Sequence, residues 1–350
     1  PCMSRLLIDQ LVQPHLLELQ PYATARHEFG GQAEVFLDAN ENPFPENTYH
    51  RYPDPLQVSL RNKLAEIKNV RTDQLFTGQG SDEAIDLLCR LVGRPGKDEV
   101  LICPPTYGVY AISAAIQHLR VKEIPLTAGF QPDVPAILKQ SGPQSKLLFL
   151  CSPNNPTGNL VASDRLLALL NDFPGLVVVD EAYIDFAGPG ASVLPLLAQY
   201  PKLVVLQTLS KAWGQAGLRL GMAFAHPRIV ELLQRIKAPY NLATPSQQLA
   251  LQALQSEDVF TEQTQLLVRE RECLSKALNG LPEVLEVFPS AANFLLVRFE
   301  DAKSTYDKLL EKGIIVRDRS RVAQLENCLR ITVGTPQENQ RLLATLQSAP

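Results

Sequence analysis

The sequence lacks the features that mark membrane and secreted proteins. It contains no apolar run long enough to span a membrane, and its first residues lack the apolar core and cleavage site of a signal peptide. The six cysteines are scattered along the chain without a CxxC pair, which predicts free thiols rather than a disulfide framework. We therefore expect a cytoplasmic protein with no membrane partner and no bound metal.

A strong excess of either charge is also absent. The formal net charge is −4, and charged residues make up 20% of the 350-residue chain. A chain without a basic excess is a poor partner for nucleic acid. The hydrophobic content of 45% is ordinary, and the length leaves room for two domains. The composition thus favours a globular protein that acts on small molecules.

A complete dinucleotide-binding fingerprint is missing too. Gly78 and Gly80 match its first two glycines, but Glu83 stands at the third position, which disfavours a Rossmann NAD site. The glycine-rich turn instead opens a helical apolar pattern over 84–92. Free N–H groups at such a helix start bind phosphate. The alternative is that a side chain of this turn simply caps the helix.

Four short apolar runs, each followed by polar residues, dominate the middle of the chain. They are residues 100–103, 147–150, 176–179 and 203–206. Strands that are apolar throughout and separated by helical segments predict a mostly parallel sheet with helices on both faces. Ligands of such sheets bind beyond the carboxyl ends of the strands. The residues that follow the runs there are Tyr107, Asn155, Asp180 and Lys211.

The stretch after the last run carries the most distinctive chemistry. Lys211 is flanked by small residues and a hydroxyl, and Arg219 follows eight positions later. A lysine in a desolvated pocket has a lowered pKa and can be the neutral amine that condenses with an aldehyde. Two nearby cations can share a phosphate. The alternative is an ordinary surface lysine in a loop.

The other strand ends supply partners for a phosphorylated pyridine aldehyde. Asp180 ends a buried strand, where an unpaired carboxylate is costly, and a pyridinium nitrogen would pair with it. Asn155 and Tyr183 can hydrogen-bond a ring oxygen, while Tyr107 can stack on the ring. Each residue alone has an ordinary explanation as a cap, a turn residue or a core side chain. Together they predict a pyridoxal phosphate site.

The motifs that contain these residues resemble the fold-type I pyridoxal-phosphate aminotransferases over nearly the whole chain. The matching segments are 37–43, 51–53, 80–83, 104–108, 152–158, 180–183, 208–211, 216–219 and 330–334. The Asn-Pro-Thr-Gly and Ser-Lys segments identify only the cofactor. Asp-Glu-Ala-Tyr, Arg-Tyr-Pro and Leu-Arg-Ile-Thr-Val-Gly are more specific to members of the family that act on histidinol phosphate.

The resemblance implies an α/β fold in which a large domain, with a mostly parallel sheet flanked by helices, is joined to a smaller α+β C-terminal domain. We expect an N-terminal arm with little periodic structure at 1–30, the large domain at 31–245 and the small domain at 246–350. The sequence also predicts helical structure over 247–281.

The resemblance also implies a role for each matching residue. Lys211 would be the Schiff-base lysine and the proton shuttle, with Asp180 and Tyr183 as its catalytic partners at the ring nitrogen and ring oxygen. Asn155 would contact the ring oxygen, and Tyr107 would stack on the ring. The residues around the cofactor phosphate would be Gly80, Ser81, Asp82, Ser210 and Arg219, joined by Tyr52 from the partner subunit of a homodimer.

The substrate's anionic end is expected at the last strand. Leu329, Ile331 and Val333 share one face of that strand, which puts Arg330 on the opposite face. By resemblance, Arg330 would hold the phosphate or the carboxylate of the substrate, and guanidinium suits both anions. The residues expected nearby are Arg317, Tyr22 and Tyr240. The alternative is a solvated arginine on a half-exposed strand.

The activity implied by the resemblance is transamination between L-histidinol phosphate and 2-oxoglutarate, giving imidazole acetol phosphate and glutamate in histidine biosynthesis. Two other activities stay open: decarboxylation of a phosphorylated amino acid such as threonine phosphate, and transamination of aromatic amino acids. A non-catalytic pyridoxal-phosphate sensor is disfavoured because the sequence offers no basic patch or spare segment for a DNA-binding module.

Overall fold

The computed structural model describes residues 2–22, 34–46 and 48–348. Their strands form two separate sheets. The strands of the first sheet are β1 (Leu75–Gln79), β2 (Glu99–Ile102), β3 (Arg120–Glu123), β4 (Ser145–Cys151), β5 (Leu176–Asp180), β6 (Leu203–Thr208) and β7 (Leu220–Ala225). Those of the second sheet are β8 (Val284–Val287), β9 (Phe294–Phe299), β10 (Arg317–Asp318) and β11 (Cys328–Thr332).

The first sheet is mostly parallel. Its strand order is β1-β7-β6-β5-β4-β2-β3, and β7 alone runs antiparallel to both of its neighbours. The second sheet, in the order β10-β11-β9-β8, is antiparallel throughout. The parallel register places Asp180 beside Cys151 on one neighbouring strand and Leu206 on the other. The carboxyl ends of β4, β5 and β6 therefore meet at one edge of the sheet.

Helices cover both faces of the first sheet, and others pack against the second sheet. Taken together, the α-helices of the described residues are Cys2–Asp9, Pro14–Glu18, Val58–Lys68, Gly80–Val92, Val109–Ile116, Val134–Gln140, Ser163–Asp172, Pro227–Ile236, Thr244–Ala253, Glu257–Leu278, Ala302–Glu311 and Pro336–Gln347. Short 3-10 turns lie at Thr72–Gln74, Ile184–Phe186, Leu194–Ala198 and Ala216–Leu218.

Polar and apolar residues do not alternate in the apolar runs, because both faces of the sheet are buried. In β5, Val177 and Val179 pack into the core on one face, while Leu176 and Val178 pack into the core on the other. Successive side chains of a strand point to opposite faces, so a strand between two layers of helices must be apolar at every position. This confirms the predicted α/β class with a mostly parallel sheet flanked by helices.

The second sheet has a core of its own. Leu329, Ile331 and Val333 lie buried against the helices Glu257–Leu278 and Pro336–Gln347, whereas Arg330 is only half-buried. The predicted two-faced pattern of β11 is therefore correct. The domain limits 1–30, 31–245 and 246–350 stay a prediction.

Two sequence-based predictions of local structure were wrong. The first segment contains the helices Cys2–Asp9 and Pro14–Glu18, because Ile8 and Val12 find a buried place against the large sheet's core. The helical stretch 247–281 is interrupted between Ala253 and Glu257. In both places, packing between distant segments overrides a weak local pattern.

Gly221 in β7 is required by a close approach to the start of the helix Gly80–Val92. A Cβ atom on Gly221 would lie 2.1 Å from the Ser81 nitrogen and 2.2 Å from the Gly80 carbonyl carbon. Both are backbone atoms, which cannot rotate away as the end of a side chain can. At Gly142, in contrast, an added Cβ meets no atom within 4 Å.

We predict that Gly221→Ala lowers the free energy of unfolding by about 3 kcal/mol or more, at the upper end of the cost of overpacking. The matched variant Gly142→Ala should change it by less than about 0.5 kcal/mol. Urea-denaturation midpoints of both variants test this. Equal, small effects would show that β7 moves freely away from the helix start.

Candidate active site

One pocket opens at the edge where the carboxyl ends of β4, β5 and β6 meet. Its walls come from the strand ends, the start of the helix Gly80–Val92 and the loop that precedes β7. The lining residues are Gly80, Ser81, Asp82, Tyr107, Cys151, Asn155, Asp180, Ala182, Tyr183, Thr208, Ser210, Lys211 and Arg219. Ten predicted cofactor residues, distant in sequence, are thereby brought together.

Lys211 is held on a tight turn directly after β6. The Ser210 N–H donates to Thr208 Oγ1 at 3.1 Å, and the Gly214 N–H donates to the Lys211 carbonyl at 3.0 Å. The Lys211 ammonium lies 5.5 Å from the centre of the Tyr183 ring. Desolvation by the pocket walls lowers the Lys211 pKa, and the charges of two arginines lower it further. The turn therefore presents an amine that is easier to deprotonate than a surface lysine.

Asp180 places a buried carboxylate in the same pocket. The Tyr110 hydroxyl donates to its Oδ2 at 2.7 Å, and the Ala182 N–H donates to its Oδ1 at 3.1 Å. Burial raises the Asp180 pKa to about 6, against the lowering effect of these two donors. Within the described part of the chain, no cation lies within ion-pair distance of this carboxylate. Asp180 can thus pair with a cationic ring nitrogen.

Asn155 joins the pocket to the second sheet. Its Nδ2 donates to the Tyr183 hydroxyl at 3.3 Å, and its Oδ1 accepts from Arg330 Nη1 at 2.5 Å. Burial lowers the pKa of Arg330, whose guanidinium lies 5.4 Å from the centre of the Phe294 ring. Arg330 is therefore a half-buried cation at the edge of the pocket rather than a solvated surface arginine.

The helix start forms a cup suited to an anion. Gly80 has φ +72° and donates its N–H to the Arg219 carbonyl at 2.9 Å. Arg219 itself has φ +53°, and its guanidinium lies 3.6 Å from the Asp82 carboxylate. A Cβ on Gly80 would lie 2.8 Å from Arg219 Nη2. The hydroxyls of Ser81 and Ser210 line the same cup, and this donor set matches a phosphate.

Two predicted cofactor residues interact with each other at this cup. The Tyr107 hydroxyl donates to Asp82 Oδ1 at 3.2 Å, and burial raises the Tyr107 pKa, followed by the charge of Asp82. The Tyr107 ring packs edge-on against Tyr110 with centroids 5.5 Å apart. Because the Asp82 carboxylate already engages Tyr107 and Arg219, only its backbone is suited to a phosphate.

The remaining predicted site residues lie outside the pocket. Tyr52 stacks on Tyr240 with ring centroids 4.5 Å apart, and Tyr52 lines a separate depression with residues 39–41. Tyr22 is 72% exposed. Arg317 is exposed and stands opposite Arg330 in the pairing of β10 with β11. Their predicted roles stay predictions.

Sequence reasoning missed Tyr110, Cys151 and Thr208. Tyr110 is fully buried in the helix Val109–Ile116, and the local sequence does not signal its contact with the Asp180 carboxylate. Cys151 ends β4 beside Asp180, and the alignment of parallel strand ends could have indicated it. Nothing in the local sequence signals the contact between the Thr208 hydroxyl and the Leu220 carbonyl at 3.0 Å.

The arrangement fits pyridoxal phosphate, because it meets each chemical demand of that molecule with a different side chain. The buried carboxylate of Asp180 suits the ring nitrogen, the amine of Lys211 suits the aldehyde, and the cup at Gly80 suits the phosphate. A mostly parallel sheet with such a site at its carboxyl edge defines the class of fold-type I transferases.

Comparison with known proteins narrows the class. The family model described as "Aminotransferase class I and II" matches residues 30–346. A relative from Cytophaga hutchinsonii, named histidinol-phosphate aminotransferase, is 49% identical over 97% of this chain and 99% of its own. A relative of the same name from Parabacteroides distasonis is 46% identical over 97% of this chain and 98% of its own. The chain therefore belongs to the class I and II aminotransferases, in the histidinol-phosphate aminotransferase family.

Solved structures of known enzymes share the fold of this chain. The histidinol-phosphate aminotransferase from Sinorhizobium meliloti, in complex with pyridoxal-5'-phosphate, superposes with a TM-score of 0.79 at 24% identity and covers 95% of each chain. The L-threonine-O-3-phosphate decarboxylase from Porphyromonas gingivalis superposes at 0.72, with 25% identity over 87% of this chain and 92% of its own. The fold is thus shared between enzymes of different reaction type.

We predict that Tyr110→Phe destabilises the cofactor-free protein more above pH 6 than below pH 4. Because the folded-state pKa of Asp180 is raised to about 6, the stability that this group contributes is present at low pH and lost as the pH rises through that value. The variant removes a donor to the charged form, so the pKa rises further and the loss above pH 6 reaches about 1.5–3 kcal/mol.

Urea denaturation at pH 4 and at pH 8 measures this difference. Tyr200→Phe is the matched control, because Tyr200 packs into the core on the opposite face of the sheet from Tyr110. The control should show a small effect that does not change with pH. A pH-independent loss in Tyr110→Phe would show that its hydroxyl does not act on the Asp180 charge.

Proposed function

We propose that the protein is a homodimeric, pyridoxal-phosphate-dependent aminotransferase. It moves an amino group between L-histidinol phosphate and 2-oxoglutarate, giving imidazole acetol phosphate and glutamate, in histidine biosynthesis. The observation that carries this proposal is that one pocket contains both the Lys211 amine, whose pKa is lowered, and the buried Asp180 carboxylate. Relatives 49% and 46% identical over nearly the full length bear the corresponding name.

Different side chains of the pocket have different roles around the cofactor. Bound pyridoxal phosphate supplies a carbonyl that condenses with amines and a ring that accepts electrons. Asp180 keeps a proton on the ring nitrogen by pairing with it, and Tyr183 and Asn155 orient the ring through its oxygen. Lys211 Nζ holds the cofactor before the substrate arrives and then carries the proton to and from the substrate's Cα. Its lowered pKa favours the neutral amine that accepts this proton.

Arg330 positions the substrate relative to Lys211. It contacts Asn155, which in turn contacts Tyr183, so an anion on Arg330 lies beside the groups that orient the ring. Guanidinium binds a phosphate or a carboxylate with two parallel hydrogen bonds. The same residue can therefore hold histidinol phosphate in one half of the reaction and glutamate in the other.

The homodimer is supported by the surface of the segment that carries Tyr52. Its exposed apolar side chains are Val35 (74% exposed), Leu37 (87%), Phe44 (63%) and Tyr49 (57%). So many apolar groups in one short segment favour a surface that another protein covers. Tyr52 lies outside the pocket of its own subunit, which supports its action in the partner's pocket.

The cysteines support a cytoplasmic location. Cys89, Cys103, Cys151, Cys273 and Cys328 are free thiols, as is usual in a reducing compartment. No helix of the described residues is long and apolar enough to cross a membrane.

We predict that L-histidinol phosphate alone, without any keto acid, converts the visible absorption band of the bound cofactor to that of pyridoxamine phosphate. Adding 2-oxoglutarate should restore the original band and release glutamate. Lys211→Ala should fold normally, as judged by circular dichroism, and lose steady-state turnover because no other lysine of the described residues lines the pocket.

Other outcomes assign other activities. Release of carbon dioxide without glutamate would point to a decarboxylase of a phosphorylated amino acid. Conversion by tyrosine or phenylalanine but not by histidinol phosphate would point to an aromatic aminotransferase. Retained steady-state turnover in Lys211→Ala would contradict the role of that residue.

Mixing two inactive variants tests whether Tyr52 acts across the dimer. In a mixed dimer of Tyr52→Ala and Lys211→Ala, one pocket combines an intact Lys211 with an intact Tyr52 from the other subunit. We expect such mixtures, after joint unfolding and refolding, to turn over substrate faster than the sum of the separate variants. If Tyr52 serves its own pocket, mixing yields no gain.

A further inference from the structure

Three arginines lie on one face of the second sheet, next to the pocket. Arg317 in β10 stands opposite Arg330 in β11. The Arg319 N–H donates to the Cys328 carbonyl at 2.9 Å, which extends the antiparallel pairing one residue beyond β10. Residues two apart in an extended chain share a face. Arg317 and Arg319 therefore project to the same side of the sheet as Arg330.

Arg319 is unusual because it has a buried donor without a partner. The side chain as a whole is only half-buried, but its Nε is buried and makes no hydrogen bond, and its guanidinium forms no ion pair with any residue in the described ranges. Arg317 and Arg330 likewise have no carboxylate partner there; the side-chain hydrogen bond of Arg330 goes to Asn155. An unsatisfied buried donor costs free energy, and no carboxylate among the described residues pairs with these three arginines, so the face is suited to an added anion.

The charges of these residues act on one another. Burial lowers the pKa of Arg319, and the neighbouring charges of Arg330 and Arg317 lower it further, while Tyr183 opposes the shift. Tyr183 lines the pocket that contains Lys211. Arg319 shares its sheet face with Arg330, and Arg330 contacts the pocket residue Asn155, so the arginine face adjoins the pocket.

We propose that Arg319 is a specificity-determining residue, which together with Arg317 and Arg330 forms a triple-arginine site matched to the dianionic phosphate of the substrate rather than to a single carboxylate. The proposal rests on the proposed function and adds a residue that the sequence analysis did not single out. A phosphate monoester carries a charge of about −1.5 to −2 at pH 7 and three acceptor oxygens. A carboxylate has one negative charge and two oxygens.

This difference in charge gives Arg319 unequal importance in the two halves of the reaction. Histidinol phosphate can engage three guanidinium groups, one for each terminal oxygen of the phosphate. Glutamate presents one carboxylate to the same face, and Arg330 alone can bind it with two hydrogen bonds. Loss of Arg319 should therefore weaken the phosphate substrate selectively.

We predict that Arg319→Gln raises KM for L-histidinol phosphate by about 10-fold or more, the equivalent of one charged hydrogen bond. The KM for glutamate should change by less than about 3-fold, and kcat should change little in either half-reaction. Arg319→Lys should restore part of the affinity. Arg321→Gln is the matched control, because Arg321 is exposed in the same segment.

Inorganic phosphate and acetate, used as inhibitors of the glutamate half-reaction, separate this proposal from the assignment of the substrate. Arg319→Gln should weaken inhibition by phosphate and leave inhibition by acetate unchanged, whichever amino donor the enzyme prefers. The wild-type protein could fail to react with histidinol phosphate while Arg319→Gln still shows the selective loss of phosphate inhibition. That result would overturn the proposed substrate and keep the anion site. Equal weakening of both inhibitors, or of neither, would overturn the proposal for Arg319.

Discussion

The buried carboxylate of Asp180 is the constraint on which the site depends. At the end of β5 it has two hydrogen-bond donors, Tyr110 and the Ala182 backbone, and no cation within ion-pair distance among the described residues. Burial raises its pKa to about 6, so at neutral pH the protein keeps a charge where charge is unfavourable. A cationic ring nitrogen removes that cost, and cofactor binding then contributes to the stability of the fold.

The sheet explains why the other groups stand around this carboxylate. Strands buried on both faces leave room for polar chemistry only beyond their ends, so Asn155, Asp180 and Lys211 follow three adjacent parallel strands. The reversed strand β7 adds a second element. It brings Gly221 against the helix start and sets Arg219 beside Gly80, which forms the phosphate cup. Sheet and helix start thus fix the position of the phosphate cup relative to Asp180 and Lys211.

The sequence predicted the residues whose chemistry is local and missed those whose role comes from distant contacts. Lys211, Asp180 and Asn155 each follow an apolar run, and that position alone indicates a site. Tyr110 and Arg319 carry no such signal, because the first matters through a carboxylate 70 positions away and the second through strand pairing. The helices of the first 20 residues escaped notice for the same reason.

An enzyme that alternates between two substrates must bind both anions without holding either too tightly, and the arginine face offers a physical solution. Burial lowers the pKa of Arg319, and repulsion from the charges of Arg330 and Arg317 lowers it further. A dianion relieves more of that repulsion than a singly charged carboxylate does. The face therefore favours the phosphorylated substrate by charge, and Arg330 remains able to accept the carboxylate of glutamate.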